Sequence, residues 1–212
     1  MSQYSLIVEN QSCNNTNFAI FQQMPDVEGA VGNVFPLAWL SKYAYTNTTL
    51  EFQWSLDYNF VWSRSGILVP GIQFTASQCL PADPKQGPNS ILLDYDAPND
   101  TFHFEDRKRD KDALGSLVVH TDTDVPVSQT NKEHAAAVGI GMSGHGTFVC
   151  ETQPNMTLRF TPKPKYYLIA GNFKQGEVLD IQTIFGRALE IQYKDVFQRT
   201  AILKRNNQWE LL

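Results

Sequence analysis

The chain has 212 residues, 42% hydrophobic, 12% aromatic and 18% charged, with a formal net charge of -5. That length can bury a sizeable core, and the composition argues against a disordered tail. The acidic balance speaks against a general nucleic-acid or anionic-membrane binder, and no apolar run approaches the ~20 residues that span a bilayer.

The start, MSQYSLIVEN, has neither a basic region nor a long apolar one, so no signal peptide is read. Cys13, Cys79 and Cys150 are odd in number, widely spaced and without CxxC pairs. A cytoplasmic, reduced protein is expected, with incidental sequons at Asn14, Asn47, Asn99 and Asn155. Ser5 to Val8 and Phe18 to Gln22 read as short strands joined by a polar loop, and Met24 to Val34 reads as a loop. Pro36 opens a segment in which Leu37, Leu40 and Ala44, with Trp39 and Tyr43, fit one or two helical turns or an irregular aromatic segment.

Leu50 to Trp62, LEFQWSLDYNFVW, places an apolar residue at every even position and a polar one at five of the six odd positions. Alternation of this kind is a strand with one buried and one wet face. Thirteen residues at ~3.3 Å each would run about 43 Å, too long for an ordinary strand, so a bend, bulge or turn is expected near Asp57-Tyr58-Asn59.

Val69-Pro70-Gly71 signals a type II turn, with a strand leaving it over Ile72 to Ser77. Cys79 to Ser90, with three prolines, reads as a surface loop. Ile91 to Asp96 and Thr101 to Asp106 form a hairpin around Ala97-Pro98-Asn99-Asp100. The basic cluster Arg107-Lys108-Arg109 is interrupted by acids and reads as a solvated loop, followed by a strand over Leu114 to His120. Ala135 to Cys150 is rich in glycine and small residues. It reads as a hairpin through Ser143-Gly144-His145-Gly146, with small side chains where another layer comes close. Strands follow at Met156 to Phe160, Tyr166 to Asn172, Val178 to Phe185 and Leu189 to Tyr193, then a hairpin around Asn206-Asn207. The expected fold is all-β: one domain over residues 1–212, an antiparallel, jelly-roll-like β-sandwich of roughly a dozen strands.

Chemistry has few places to reside. His103 and Glu105 share a strand face, where the carboxylate could fix the imidazole as a general base. His120, Asp122 and Asp124 would share another face with room for one cation, but an isolated HxDxD is a weak signal and reads first as a strand that ends at His120 and runs into a polar loop. His103, His120 and Asp122 are the catalytic candidates; no metal ligand set or cofactor is assigned. The cysteines lack basic neighbours and read as structural, and no GxSxG is present. Aromatic residues are the stronger lead. Trp39, Tyr43, Trp54, Tyr58 and Trp62, with the turn residue His145, are the ligand-binding candidates. Core rings should be dry and close-packed, whereas pocket rings should border a cavity.

Several segments resemble the RhiA family: YSLIVEN, Phe18 to Phe21, Leu37 to Lys42, Phe52 to Trp54, Phe60 to Ser63, Gly71 to Gln78 and Gly176 to Asp180. The resemblance covers about a third of the chain and implies a fold and compartment rather than a reaction; RhiA-like proteins are associated with quorum-regulated expression in host-associated bacteria. Three functions are therefore expected to compete. The first is uptake of a small apolar or aromatic molecule. The second is a cofactor-independent cyclase or isomerase of a biosynthetic pathway, acting on an apolar substrate. The third is a self-assembling interaction protein, an oligomer formed through a sheet edge or aromatic patch.

Overall fold

The alternating stretch Leu50–Trp62 breaks at Leu56 and Asp57 and supplies strands to two different sheets. The computed structural model describes residues 3–64, 67–127 and 134–212, and eighteen strands run through them. The first eight are β1 (Gln3–Asn10), β2 (Thr16–Gln22), β3 (Asp26–Glu28), β4 (Val34–Pro36), β5 (Leu40–Ala44), β6 (Thr48–Ser55), β7 (Tyr58–Ser63) and β8 (Gln78–Ala82). Next come β9 (Ser90–Asp96), β10 (Thr101–Lys108), β11 (Leu117–Thr121), β12 (Ala137–Met142), β13 (His145–Glu151) and β14 (Thr157–Thr161). The chain ends with β15 (Tyr166–Gly171), the short helix α1 (Ile181–Ile184), β16 (Leu189–Ile191), β17 (Gln198–Leu203) and β18 (Trp209–Leu211).

These strands make four sheets, ordered β18-β17-β1-β6, β16-β15-β2-β5, β10-β9-β11-β14-β3 and β4-β13-β12-β7-β8. Neighbours run antiparallel except β1 with β17 and β9 with β11. One buried cluster joins Leu6, Phe52 and Trp54 of the first sheet to Phe18, Ile20 and Tyr166 of the second. Another joins Ile91, Phe102 and Phe160 of the third to Phe60, Val138 and Phe148 of the fourth. The first and second sheets thus share one buried cluster and the third and fourth another, two pairs that the chain links across Leu56-Asp57. No helix among the described residues is long and apolar enough to cross a membrane.

Alternation survives in β6, where Phe52 and Trp54 are buried between exposed Glu51 and Gln53. It fails in β7, where Asn59, Val61 and Ser63 are buried too. The physical reason is a second cover: Leu68, Phe74 and Val178 pack on Val61, Ala137 and Val149 at the back of that sheet. A Cβ at Gly139 would stand 1.9 Å from the Phe148 carbonyl oxygen of the paired strand β13, so the neighbouring strand rather than another layer keeps that position small; at Gly146 of β13 the covering side chain of Leu37 does come close, 3.0 Å from a Cβ there.

Several expectations change. Phe35 to Tyr45 is extended rather than helical, because Leu37 N donates to Thr147 O (2.9 Å) and Ala38 N to Glu177 O (2.8 Å). Val178 to Phe185 contains α1 instead of a strand, since the Asp180 carboxylate accepts from Gln182 N and the Thr183 hydroxyl and caps a helical turn. Gln78 to Ala82 pairs with β7 as an edge strand, a position where Pro81 has no ladder donor to lose. Ile72 to Ser77 keeps only a bridge between Gln73 and Glu177. The strand count exceeds a dozen chiefly because β3, β4, β16 and β18 are three-residue edge strands. The Val69–Ile72 turn forms as read, with Gly71 at φ 92° and Ile72 N donating to Val69 O at 3.1 Å. The β9–β10, β12–β13 and β17–β18 hairpins also form as read.

Candidate functional site

The link between β6 and β7 is held in place by the β12–β13 turn. Ser143 N donates to Asp57 O at 2.9 Å, Ser143 Oγ donates to Asp57 Oδ1 at 3.1 Å, and Ser55 N donates to Ser143 Oγ at 3.1 Å. Tyr58, the next residue, packs against the buried clusters of both sheet pairs. Its ring opens onto a cleft of about 460 Å³, walled mainly by Leu56, Pro81, Pro84, Pro162 and Pro164, with Asp57, Asp83 and Lys85 supplying charge. The amides of Lys85 and Gln86 donate to Asp83, so its carboxyl titrates below the ordinary range and is an anion at neutral pH. Burial, with the neighbouring Tyr4, raises the Tyr58 phenol, which therefore stays a neutral donor.

Behind Tyr58 lies a group of rings. Trp54 meets Tyr166 at 5.0 Å, Tyr193 at 5.6 Å and Trp39 at 5.6 Å between centroids, and Tyr4 meets Tyr193 at 5.0 Å. Trp39 Nε1 donates to Met142 O (2.8 Å) and the Tyr193 hydroxyl to Ser5 O (2.8 Å). Trp54 Nε1 and Tyr166 Oη are buried and complete no hydrogen bond. Burial raises the Tyr166 phenol well above its ordinary 10.0, an effect the nearby Trp54 N–H only partly offsets. Tyr4, Tyr166, Tyr193 and Lys165 line a second cleft of about 470 Å³, and Pro164 belongs to both walls.

The six ligand-binding candidates are not brought together. Tyr58 alone lines the 460 Å³ cleft. Trp39 and Trp54 are dry core between the first two sheets. Trp62 is core between the other two, its Nε1 donating to Gln78 Oε1 at 2.9 Å. Tyr43 is exposed and stacks edge-on against Tyr45. His145 borders a different depression, beside Lys42, Glu51 and Gln53.

The catalytic candidates lie on the face of the third sheet turned away from its core. His103 stands opposite Asp94 in the β9–β10 register, 3.5 Å from Asp94 Oδ2 and 3.7 Å from Glu105 Oε2. His120 Nδ1 is 3.1 Å from Thr157 Oγ1, and burial, then Lys108, lowers its pKa. Asp122 accepts from the Thr123 hydroxyl and amide, which lowers its pKa. Asp94 and Asp122 come together because β9 and β11 are parallel neighbours, a pairing between distant stretches of chain. A second arrangement, assembled from residues far apart in the chain, centres on Asp100. Asp100 accepts from His134 Nδ1 at 2.7 Å, from Arg64 and from the Tyr95 hydroxyl at 2.8 Å, and these donors hold its carboxyl far below 3.8. Its one local signal was the left-handed turn that ends the β9–β10 loop at Asp100. His120 and His134 bond a threonine hydroxyl and a carboxylate, respectively.

The sequence model of the RhiA family matches residues 1–212. The chain belongs to the RhiA family. It is 36% identical over 214 residues to Protein RhiA of Rhizobium leguminosarum bv. viciae, across 99% of this chain and 86% of that protein. No solved structure matches. Neither match names a ligand or a reaction, so what this RhiA-family chain binds rests on its own side chains.

Proposed function

We propose that this RhiA-family protein binds a small apolar or aromatic molecule in the cleft at Tyr58. The observation that carries the reading is the cleft itself. Four prolines and Leu56 form rigid apolar walls of about 460 Å³, and Tyr58 contributes a ring face with a protonated hydroxyl. Prolines lose little conformational entropy on contact, so the site is preformed, and ring faces against proline suit a planar partner. Asp83 and Lys85 at the wall give a bound molecule one acceptor and one donor for orientation. None of His103, His120 and Asp122 lines this cleft, so uptake is favoured over a cyclase or isomerase.

Thermal unfolding with and without 1-naphthol, indole and 2-decanone tests the reading. Ligand at about 100 times its dissociation constant stabilises by about 2.7 kcal/mol, a shift of several degrees. Tyr58→Ala should lose that shift while Tyr43→Ala, on the exposed surface, keeps it. A shift that survives Tyr58→Ala, or no shift with any of the three, counts against the cleft.

A further inference from the structure

The β9–β10 hairpin presents a second kind of chemistry. Asp94 and His103 are cross-strand partners, and Glu105, two residues beyond His103, emerges on the same face. One ligating atom from each of the three lies within 4.8 Å of the others. Donor atoms about 2.1 Å from one ion sit about 3.0–3.4 Å apart in octahedral or tetrahedral geometry, so the 3.5 and 3.7 Å separations need only slight closure. Asp122 N donates to Leu93 O at 3.0 Å just past β11, which sets the Asp122 carboxyl against that of Asp94.

Two readings compete: a solvated imidazole between carboxylates, and a metal site. Charge separates them. Arg64 pairs with Asp100 and Lys108 with Asp106, and among the described residues no lysine or arginine pairs with Asp94, Glu105 or Asp122. The two carboxylates of Asp94 and Glu105 around one imidazole therefore keep a net negative charge whether or not the ring is protonated, and a divalent cation relieves it. The side chains stand on paired strands, so bringing them together costs less entropy than it would on loops. His103 and Glu105 are 44% and 47% exposed, which leaves coordination positions open to water or a further ligand.

We propose that Asp94, His103 and Glu105 form a site for a borderline divalent transition-metal ion such as Zn²⁺ or Mn²⁺. The imidazole nitrogen sets it apart from an acidic patch. Ca²⁺ prefers six to eight oxygens, and Mg²⁺ keeps most of its waters, so neither matches this donor set. The site is independent of the cleft at Tyr58.

Calorimetric titration of the chelator-stripped full chain with Zn²⁺ tests it, with Co²⁺ absorption reporting coordination. One equivalent should bind, and Ca²⁺ at the same concentration should not compete. His103→Ala should abolish binding. Glu105→Gln should weaken it by at least the about 10- to 100-fold that even outer-shell partners of a metal are worth. His120→Gln and His134→Gln, which remove the neighbouring imidazoles, should leave it unchanged, with circular dichroism confirming that each variant is folded. Binding that survives His103→Ala, binding that Ca²⁺ matches, or no saturable binding overturns the proposal.

Discussion

The two sheet pairs solve the same packing problem with different side chains. The pair containing β7 and β9 is filled largely by Phe60, Phe102, Phe104, Phe148 and Phe160 with aliphatic residues, and its tryptophan, Trp62, has a bonded N–H. The pair containing β1 and β6 relies on Trp39, Trp54 and Tyr166, with Tyr4, Tyr193 and Trp209 around them. Phenyl and aliphatic groups bring no polar atoms into a core. Tryptophan and tyrosine do, and each buried donor left unpaired costs about 1–3 kcal/mol. In the first pair Trp39 and Tyr193 find carbonyls, whereas Trp54 and Tyr166 find none. Buried atoms without a partner occur in both pairs, Trp54 Nε1 and Tyr166 Oη in the first and Asn59 Nδ2 and Ser90 Oγ in the second, but only behind Tyr58 do they belong to core rings.

The largest expected effect tests whether the two cores stand or fall together. Trp39→Ala and Phe160→Ala each empty a fully buried ring site and should each cost about 3–5 kcal/mol in urea unfolding. Tyr58 packs on both cores, so each variant should shift one common transition rather than split it. Separate transitions seen by fluorescence and by far-ultraviolet circular dichroism would mean that the pairs unfold independently.

Much of this architecture was legible locally. The alternation from Leu50 to Trp62 specified both strands, and its improbable length placed the break at Asp57, where the chain changes sheets. Hairpins were legible for the same reason: Ala97-Pro98-Asn99-Asp100 and Asn206-Asn207 act within a few residues. The rest depends on partners far away in the chain. Val61 is buried because Leu68, Phe74 and Val178 fold over it, and β5 is extended because β2 bonds it. The candidate sites behave likewise. His103–Glu105 was visible as strand spacing, but Asp94 and Asp122 join it only through the β9–β10 and β9–β11 pairings. The ring cluster was visible as composition, yet composition does not say that Tyr58 would reach a cleft while Trp54, four residues earlier, would not.

Alkaline pH should separate the cores next. Burial raises the phenols of Tyr58, Tyr166 and Tyr193, all in or beside the first pair's cluster, above 10.0. The unfolded chain ionises these groups near pH 10 while the folded chain keeps their protons. Their contribution to stability is therefore intact below pH 10 and lost as the pH rises through the folded values. Each such phenol adds a downward slope of up to about 1.4 kcal/mol per pH unit above 10. Urea midpoints measured from pH 9 to 11.5 should show that decline, and Tyr166→Phe should flatten it. An unchanged slope would mean that the hydroxyl of Tyr166 is as accessible in the folded chain as in the unfolded one.

The most discriminating comparison sets a bonded polar atom against an unbonded one in two neighbouring rings. Trp39→Phe removes the donor to Met142 O as well as part of the ring, leaving a buried carbonyl without that partner. It should cost about 1–3 kcal/mol beyond the lost packing. Tyr166→Phe removes an oxygen that completes no hydrogen bond and only stands near the Trp54 N–H, so it should cost less than about 1 kcal/mol or be neutral. Both rings belong to one cluster, 6.1 Å apart, so the two variants sample the same surroundings, and only Trp39→Phe adds a packing loss. If Tyr166→Phe destabilises as much as Trp39→Phe, its hydroxyl is bonded in solution, and the contrast between the two cores narrows to Trp54. If it stabilises, the tyrosine is retained against stability. A retained, unpaired hydroxyl beside an open cleft is what a binding function would preserve.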